Sequence, residues 1–436
     1  MRVDRRIVAK SGGTDWRGPA RIAAQYAAVT TAGLALMMPI SYGWFGLAPY
    51  KIDLMVREVP RAMEAGAMVA VLTAAMVITA GSGRAAWYLA ALALLGMLAN
   101  HTGLPWIEVD SLTTINYIDS LWAGVVIGSL APVAWTSAVT TSVFLFACLS
   151  AAILGDIVQR PTGGRAANPL ERLLGGAPPI WLILTALVLV GLCVVARSVD
   201  VPVAEIDHQF PLRKVLSGVV LIMTVASISR WLAHSTGTFL IVAAAITLTV
   251  LGCTVAALLL PGRDGVAVLL LVAFAASSSA VITVPRPWWA DLLAVAAVGF
   301  GVVAGRRWPL PGVAIGFSLA LAAVAALLAL HTTPNQFASV LGVCAIGLVG
   351  GYSAAAAVPP RAASAVVAIA ALFVPSAAVA LRGRSFGQVA YSTEWYRFAP
   401  DTHDAVPAYA ALGIGVGAGA AIWLIRRLRQ PERADS

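Results

Sequence analysis

The stretch TFLIVAAAITLTVLGCTVAALLL, residues 238–260, contains no charged side chain. A helix needs about 20 mostly apolar residues to cross a hydrocarbon core about 30 Å thick, and this stretch meets that length. Similar runs recur along the whole chain. Because lipid offers no partner to a backbone amide, such runs form helices, whose hydrogen bonds are internal. The sequence therefore predicts an all-α, polytopic integral membrane bundle.

Composition excludes a soluble globular protein. Of the 436 residues, 60% are hydrophobic and 11% are charged, whereas soluble domains are typically about 45–50% apolar and about 25% charged. The net charge of +9 comes from arginines in tails and short loops, where they orient membrane helices, so we predict no nucleic-acid partner. Only three of the 29 basic residues are lysines. This bias is typical of a GC-rich genome and favours an actinobacterial-type inner (cytoplasmic) membrane, with membrane lipid as a partner.

The apolar runs predict about 14 transmembrane helices. Both tails are basic, so the positive-inside rule places the N- and C-termini in the cytoplasm and makes the number of crossings even. The charges in the loops 156–178 and 198–213 conflict with this count, which leaves 12 and 13 crossings as alternatives. The predicted spans are residues 22–48, 65–81, 85–101, 120–135, 137–155, 179–197, 214–233, 238–260, 265–284, 290–305, 311–331, 336–358, 362–381 and 407–426.

The region Leu121–Ile153 allows two interpretations. Pro132 and the polar residues 135–137 interrupt its apolar character, so it is either one long bent helix or two shorter helices.

The connections between spans are too short for a separate soluble core. We therefore predict a cytoplasmic N-terminal tail, a transmembrane helical domain and a cytoplasmic C-terminal tail, with a possible division of the membrane domain into two halves. The ranges are 1–20 for the first tail, 21–426 for the membrane domain, 427–436 for the second tail, and 21–198 and 199–426 for the halves.

Several glycine pairs have the GxxxG spacing that lets two helices approach closely. They are Gly301/Gly305, Gly347/Gly351, Gly413/Gly417 and Gly415/Gly419. These pairs predict dense helix packing within the chain or between subunits.

Ionisable side chains are predicted to avoid the spans. All acidic residues are assigned to tails, loops or helix ends, although carriers driven by protons or sodium usually keep a carboxylate inside the membrane. Arg230 is the one basic residue placed appreciably inside a span, near its outer end, where it extends toward the interface or contacts an anionic solute. Ser277, Ser278 and Ser279 could line a substrate path through the core, although such hydroxyls more often bond their own helix.

The last predicted outer loop, residues 382–408, is long and rich in functional side chains. Loops of this length in a chain of tight turns often carry function. Glu394, Trp395, Arg397 and His403 are therefore predicted to belong to an outer gate.

A second group of charges follows the first span. The apolar spacing within Ile52–Val59 predicts a short amphipathic helix on the membrane surface. Asp53 also resembles, in its position, the carboxylate of membrane glycosyltransferases that use polyprenyl-phosphate sugars. That resemblance implies Asp53 as a general base, with Glu108, Asp110 and Asp119 of the next outer loop completing the catalytic site.

The motifs of soluble chemistry are missing from the sequence. No Walker A loop, zinc signature, dinucleotide motif or Ser/His/Asp arrangement is found, and the four cysteines lie singly in apolar runs. We therefore predict no cofactor and no metal.

Size and helix number are similar to those of secondary transporters of the major-facilitator type. The turns AGSGR (80–84) and PGRDG (261–265) fall where that family has Arg- and Asp-rich loops, but the rest of its motif is absent. The favoured function is a permease rather than an enzyme, moving a small or amphipathic solute alone or as the membrane subunit of an exporter with a separate ATPase. The alternatives are the glycosyltransferase, acting on a lipid-linked substrate, and a channel or scaffold subunit of a secretion or envelope complex.

Overall fold

The structure is a computed structural model that describes residues 17–38, 59–103, 112–157, 178–196, 199, 202–204, 210–235, 238–281, 287–330, 336–382 and 405–429. All regular secondary structure in these ranges is helical, which confirms the all-α prediction. The helices, numbered in chain order, are α1 Arg17–Met37, α2 Val59–Ala80, α3 Gly83–Gly103, α4 Leu112–Ala134, α5 Ala138–Ile157, α6 Ile180–Val195, α7 Leu212–His234, α8 Phe239–Leu259, α9 Gly265–Ala280, α10 Trp289–Arg307, α11 Pro311–Ala329, α12 Gln336–Ala356, α13 Ala362–Ala370, α14 Ala377–Arg382 and α15 Val406–Leu428.

Ten of the described helices are long and apolar enough to cross a membrane, judged by length and composition. They are α2 to α5, α7, α8, α10 to α12 and α15, while α6 and α9 are apolar but shorter. The chain is therefore an integral, multi-pass membrane protein. The count of 14 crossings and the cytoplasmic location of the termini stay predictions.

Each predicted span overlaps a helix. One prediction is corrected, because the predicted single span 362–381 is divided into two helices, α13 and α14. The ambiguous region 121–153 consists of two helices, α4 and α5. The hydroxyls of Thr140 and Thr141 donate to the carbonyl of Ala134 at 2.6 and 3.2 Å. These bonds satisfy a carbonyl that the end of α4 leaves without a helical partner.

The divided helix lies at the centre of the bundle. α13 packs against α2, α4, α7 and α9, and α14 packs against α7, α8, α9 and α15. Every residue of α13 is buried. Helices from both sides of the predicted division at residue 199 therefore meet around this segment.

α10 and α12 pack against each other through the predicted GxxxG pairs. A Cβ atom added to Gly301 would lie 2.3 Å from the carbonyl oxygen of Leu348. One added to Gly351 would lie 2.3 Å from the carbonyl oxygen of Val298. The two patterns thus face each other inside one chain, and only glycine allows this backbone approach.

Polar contacts connect the helices at the end of the bundle where α9 and α13 begin, called here the Asp264 end. Arg361 precedes α13 and lies with its Nη1 3.4 Å from Oδ2 of Asp264, which is buried before α9. The indole N–H of Trp135, just after α4, donates to the carbonyl of Pro359 at 2.9 Å. The second contact joins the early and late parts of the chain.

Candidate functional site

The segment Ala371–Ser376, between α13 and α14, is the helix break. Pro375 has no amide to donate and disfavours helical geometry in the residue before it. The amides of Ala371–Phe373 donate to carbonyls three residues earlier, which tightens the end of α13. Ser376 then caps α14, because its Oγ accepts the amide N–H of Val379 at 3.4 Å. A short stretch of sequence, Val-Pro-Ser, thus ends one helix and starts the next.

The break is buried in protein. Phe373 is 1% exposed and Ala371 is 3% exposed. Backbone without helical bonding is tolerated at membrane depth only where protein covers it or where it lines a cavity. In the part of the chain that the structure describes, no hydrogen bond reaches the carbonyl oxygens of Leu372–Val374. These oxygens are free to accept a donor from water or from a bound molecule.

A small cavity lies beside the break. It is barely large enough for one water molecule. Thr249 is the middle residue of α8, so the cavity lies about halfway through the membrane. Five helices and the break contribute its lining, which consists of Val225, Thr249, Val272, Ala275, Ala276, Ala371, Ser376, Ala377 and Ile414.

Of the predicted serine run, Ser279 is the member joined to this cavity. Its Oγ accepts a hydrogen bond from Oγ of the cavity-lining Ser376 at 3.1 Å and donates to the carbonyl of Ala275 at 2.6 Å. Ser277 and Ser278 donate to carbonyls of their own helix at 3.0 and 3.2 Å. Their hydroxyls are therefore used inside α9, as hydroxyls in membrane helices commonly are.

Arg230 lies outside the cavity and pairs with Glu64. Nη1 of Arg230 is 3.2 Å from Oε2 of Glu64, so the pair joins α7 to α2. Arg230 is five residues beyond Val225, which is about 7 Å along the helix axis at 1.5 Å per residue. The pair therefore lies between the cavity and the end of the bundle where α7 ends, called here the Arg230 end.

The predicted start of the second span at residue 65, which left Glu64 outside the membrane, was wrong. Glu64 lies within the membrane span Pro60–Ala80. Proline is tolerated in the first turn of a helix, where its missing amide would have no partner, so Pro60 does not delay the start of α2. Arg230 then supplies the opposite charge that an acidic group at this depth requires.

Asp119 is a second carboxylate inside the membrane and overturns its assignment to an outer loop. It lies within α4 and is 1% exposed. Nδ2 of Asn100 donates to Oδ1 of Asp119 at 3.3 Å and to the carbonyl of Ile115 at 3.0 Å. Nε2 of His101 lies 3.2 Å from Oδ2 of Asp119. These partners from α3 compensate the carboxylate, which is why the polar start of α4 can be helical inside the bundle.

The remaining predicted site residues lie outside the described residues, so the catalytic-base and outer-gate interpretations stay predictions. They are Asp53, Glu108 and Asp110 of the predicted glycosyltransferase site and Glu394, Trp395, Arg397 and His403 of the predicted gate loop. Within the described ranges, no group of three or more His, Cys, Asp or Glu residues is arranged to hold a metal ion.

Sequence reasoning missed two features that had visible signals. The proline and serine at 375 and 376 inside an apolar run are a signal for a helix end and a new helix start. The Asn-His pair at the end of α3, followed by an acid after one short loop, brings polar groups of neighbouring helices to the same end of a bundle.

No family model matches this chain, and no curated protein matches its sequence. One similar solved structure is described as the crystal structure of an auto inhibited POT family peptide transporter. It is 13% identical, has a TM-score of 0.48, and aligns over 97% of this chain and 98% of that chain. Another, described as the crystal structure of a proton dependent oligopeptide (POT) family transporter, is 12% identical with a TM-score of 0.38 over 93% and 99% of the two chains. At these values the likeness assigns neither a family nor a function.

Proposed function

We propose that the chain is a permease of the cytoplasmic membrane that moves a small, uncharged or amphipathic solute by alternating access. Its binding centre is the break between α13 and α14. The observation that carries the proposal is this break, buried at the middle of the bundle beside a cavity. Secondary transporters use interrupted helices near the bilayer midplane as binding sites, because the freed backbone groups bond the solute.

The chemistry of the lining supports an uncharged solute. The walls are mostly aliphatic, with the hydroxyls of Thr249 and Ser376 as side-chain polar groups. The lining residues include no charged side chain, and an ion placed there would lose its hydration without compensation. The hydroxyls of Thr249 and Ser376 can exchange hydrogen bonds with a bound molecule, so the solute carries a hydroxyl, amide or amine beside an apolar part.

The polar contacts at the two ends of the bundle support a gating scheme. Glu64 and Arg230 join α2 to α7 at the Arg230 end, and Trp135 joins α4 to Pro359 at the Asp264 end. Each contact links a helix before residue 199 to a segment after it. With both contacts formed, the cavity between them is closed, and breaking one at a time opens it to one side only.

The proposal is tested with the purified chain and a panel of small alcohols, amides and amines. Ligands are first sought by the rise in melting temperature that binding to the folded state produces. Those that raise it are then used, as radiolabelled compounds, in counterflow assays with proteoliposomes. We expect exchange without nucleotide by the wild type and a strong loss with Ser376→Ala, while Ser278→Ala retains exchange.

Two outcomes would contradict the proposal. Exchange that requires ATP and a second protein would identify the chain as part of an exporter with a separate ATPase. A stable, folded protein that exchanges no member of the panel, or exchanges it equally with both serine variants, would remove the helix break as the binding centre.

A further inference from the structure

We propose that Asp119, His101 and Asn100 form a proton-binding site between α3 and α4, and that its occupancy controls opening at the Arg230 end. The inference that the cluster binds a proton depends only on the geometry of these three side chains. The link to opening rests on the proposed permease function.

The three side chains are enclosed by the bundle. Asp119 is 1% exposed, and Asn100 and His101 are each 5% exposed. Asp119 is five residues inside the span Thr114–Ala134, which places it about 7 Å from the start of that span at 1.5 Å per residue. The cluster is thus buried but close to one aqueous border, a position from which a proton can reach water in a short transfer.

The charge of the cluster changes by one when it gains or loses a proton. Nε2 of His101 lies 3.2 Å from both carboxylate oxygens of Asp119. With one proton held between the imidazole and the carboxylate the pair is neutral overall. When that proton leaves for water, a net charge of minus one stays buried, and such a charge is costly unless another group compensates it.

No other charged side chain in the described part of the chain compensates Asp119. The groups that act on its carboxylate are His101 and Asn100. Tyr117, on the same helix, is two residues away and so points to nearly the opposite side. Among the side chains that the structure describes, the titratable groups on the helices packed against α3 and α4 are Arg21 and Tyr26 on α1, Arg61 and Glu64 on α2, Cys148 on α5 and Cys193 on α6.

One buried atom of the cluster marks a place where a proton-carrying molecule can bind. Oδ1 of Asn100 is buried and has no hydrogen-bond partner in the described structure. The opposite amide orientation is excluded because Nδ2 already donates to two oxygens, of Ile115 and Asp119. A buried acceptor of this kind needs a donor, and a water molecule is the usual one. In the proposal, a water molecule that donates to this oxygen is the carrier between the cluster and the aqueous border.

α4 connects the cluster to α2, the helix that contains Glu64. A Cβ atom added to Gly66 on α2 would lie 2.5 Å from the carbonyl oxygen of Ser120. Ser120 follows Asp119, and Gly66 is two residues from Glu64, so the two helix backbones touch beside both charged groups. Glu64 lies on the same turn of α2 as Gly66 but on nearly the opposite side, so a displacement of α4 on loss of the proton moves α2 as a whole and, with it, the contact of Glu64 with Arg230.

Proton binding is tested on the full chain in lipid nanodiscs without any solute. The melting temperature is recorded between about pH 5 and pH 8, the window in which an unperturbed imidazole changes charge. We expect the wild type to melt at higher temperature as the pH falls, because the protonated pair is neutral. Infrared difference spectra across the window should show an ionisation change that disappears in Asp119→Asn and in His101→Gln. His234→Gln, which changes an exposed imidazole outside the cluster, should leave the melting profile and the carboxyl bands of Asp119 unaltered.

Several outcomes would overturn the proposal. Infrared and melting profiles of Asp119→Asn identical to those of the wild type would show that the cluster binds no proton in this window. If that variant does not fold, the same comparison with His101→Gln decides. Stabilisation of the wild type by sodium at fixed pH, lost in Asp119→Asn, would identify a sodium site instead.

The link to opening has a separate readout. Solute exchange by the wild type should change with pH, and exchange by His101→Gln should not. Identical pH dependence of the two would refute the link. A pH-dependent infrared signal with no solute exchange would refute the permease and leave the proton site standing.

Discussion

The hydroxyl of Ser376 donates to the hydroxyl of Ser279 at 3.1 Å, and this bond connects the start of α14 to α9. The hydroxyl of Ser279 donates in turn to the carbonyl of Ala275 at 2.6 Å, so the chain of hydrogen bonds ends on the backbone beside the cavity. Since Oγ of Ser376 also accepts the amide of Val379, one side chain both caps α14 and fixes its position. A solute that takes the place of Ser279 as partner of Ser376 would free α14 to move.

The first prediction concerns Ser376→Ala. The variant loses the cap and the bond to Ser279, and a lost cap costs about 1 kcal/mol. The variant also loses a hydrogen bond to the solute, worth about 0.5–1.5 kcal/mol, so we expect solute affinity to fall about two- to tenfold in a counterflow assay. The melting temperature should fall by only a few degrees. Ser278→Ala removes a hydroxyl bonded within its own helix and is the control, expected to retain wild-type affinity.

The second prediction concerns the volume of the cavity. Ala276 lines it and is buried, so Ala276→Leu fills the space beside the helix break. Overpacking of this kind typically costs about 1–3 kcal/mol, and we expect a folded protein that no longer exchanges solute. Ala244→Leu adds the same side chain to an exposed position of α8 and should exchange solute normally. Normal exchange by Ala276→Leu would show that the solute path lies elsewhere.

The third prediction concerns the pair at the Arg230 end. Glu64→Arg and Arg230→Glu each place two like charges at a contact whose wild-type atoms lie 3.2 Å apart, so each single variant should hold that end open and lose coupled exchange. The double variant restores opposite charges and should recover part of the activity. The measurement is labelling of a cysteine introduced at Ala276, together with exchange.

The matched control for this pair is Arg213→Glu, near the start of α7 and exposed. It changes the same charge on the same helix and should leave labelling and exchange unchanged. Equal labelling in the wild type, both single variants and the double variant would contradict a gating role for Glu64 and Arg230.

Much of the fold follows from apolar runs, because a helix is the structure in which lipid-exposed backbone can pair its own amides. The break in α13–α14 was missed since hydropathy is insensitive to one proline among alanine and valine. Asp119 was missed because the polar start of α4 resembles a loop. Its environment depends on Asn100 and His101 from another helix, and a contact of this kind is set by tertiary packing rather than by local sequence.

The contacts of the candidate site also join residues that are distant in the sequence. The serine run in α9 was predicted to line a substrate path, which stays a prediction, and the partner of Ser279 lies 97 residues away. Arg230 was predicted to extend toward the interface because it lies near the outer end of its span, and no carboxylate was expected beside it inside the membrane. Once α2 begins at Val59 rather than at residue 65, Glu64 enters the membrane and becomes the partner that the predicted boundary had removed.

The last prediction concerns the crossing of α10 and α12. In Gly351→Ala the new Cβ would lie 2.3 Å from the carbonyl oxygen of Val298 and 2.8 Å from the amide nitrogen of Val302. Both are backbone atoms of a helix, so the helices must separate and lose contact along the crossing. We expect a clear fall in melting temperature and in the yield of folded protein.

Gly316→Ala on α11 is the control, because no atom lies within 4 Å of its added Cβ, and alanine is the better helix former by up to about 1 kcal/mol. Its stability should equal or exceed that of the wild type, and equal melting temperatures for the two variants would show that α10 and α12 do not meet through their glycines.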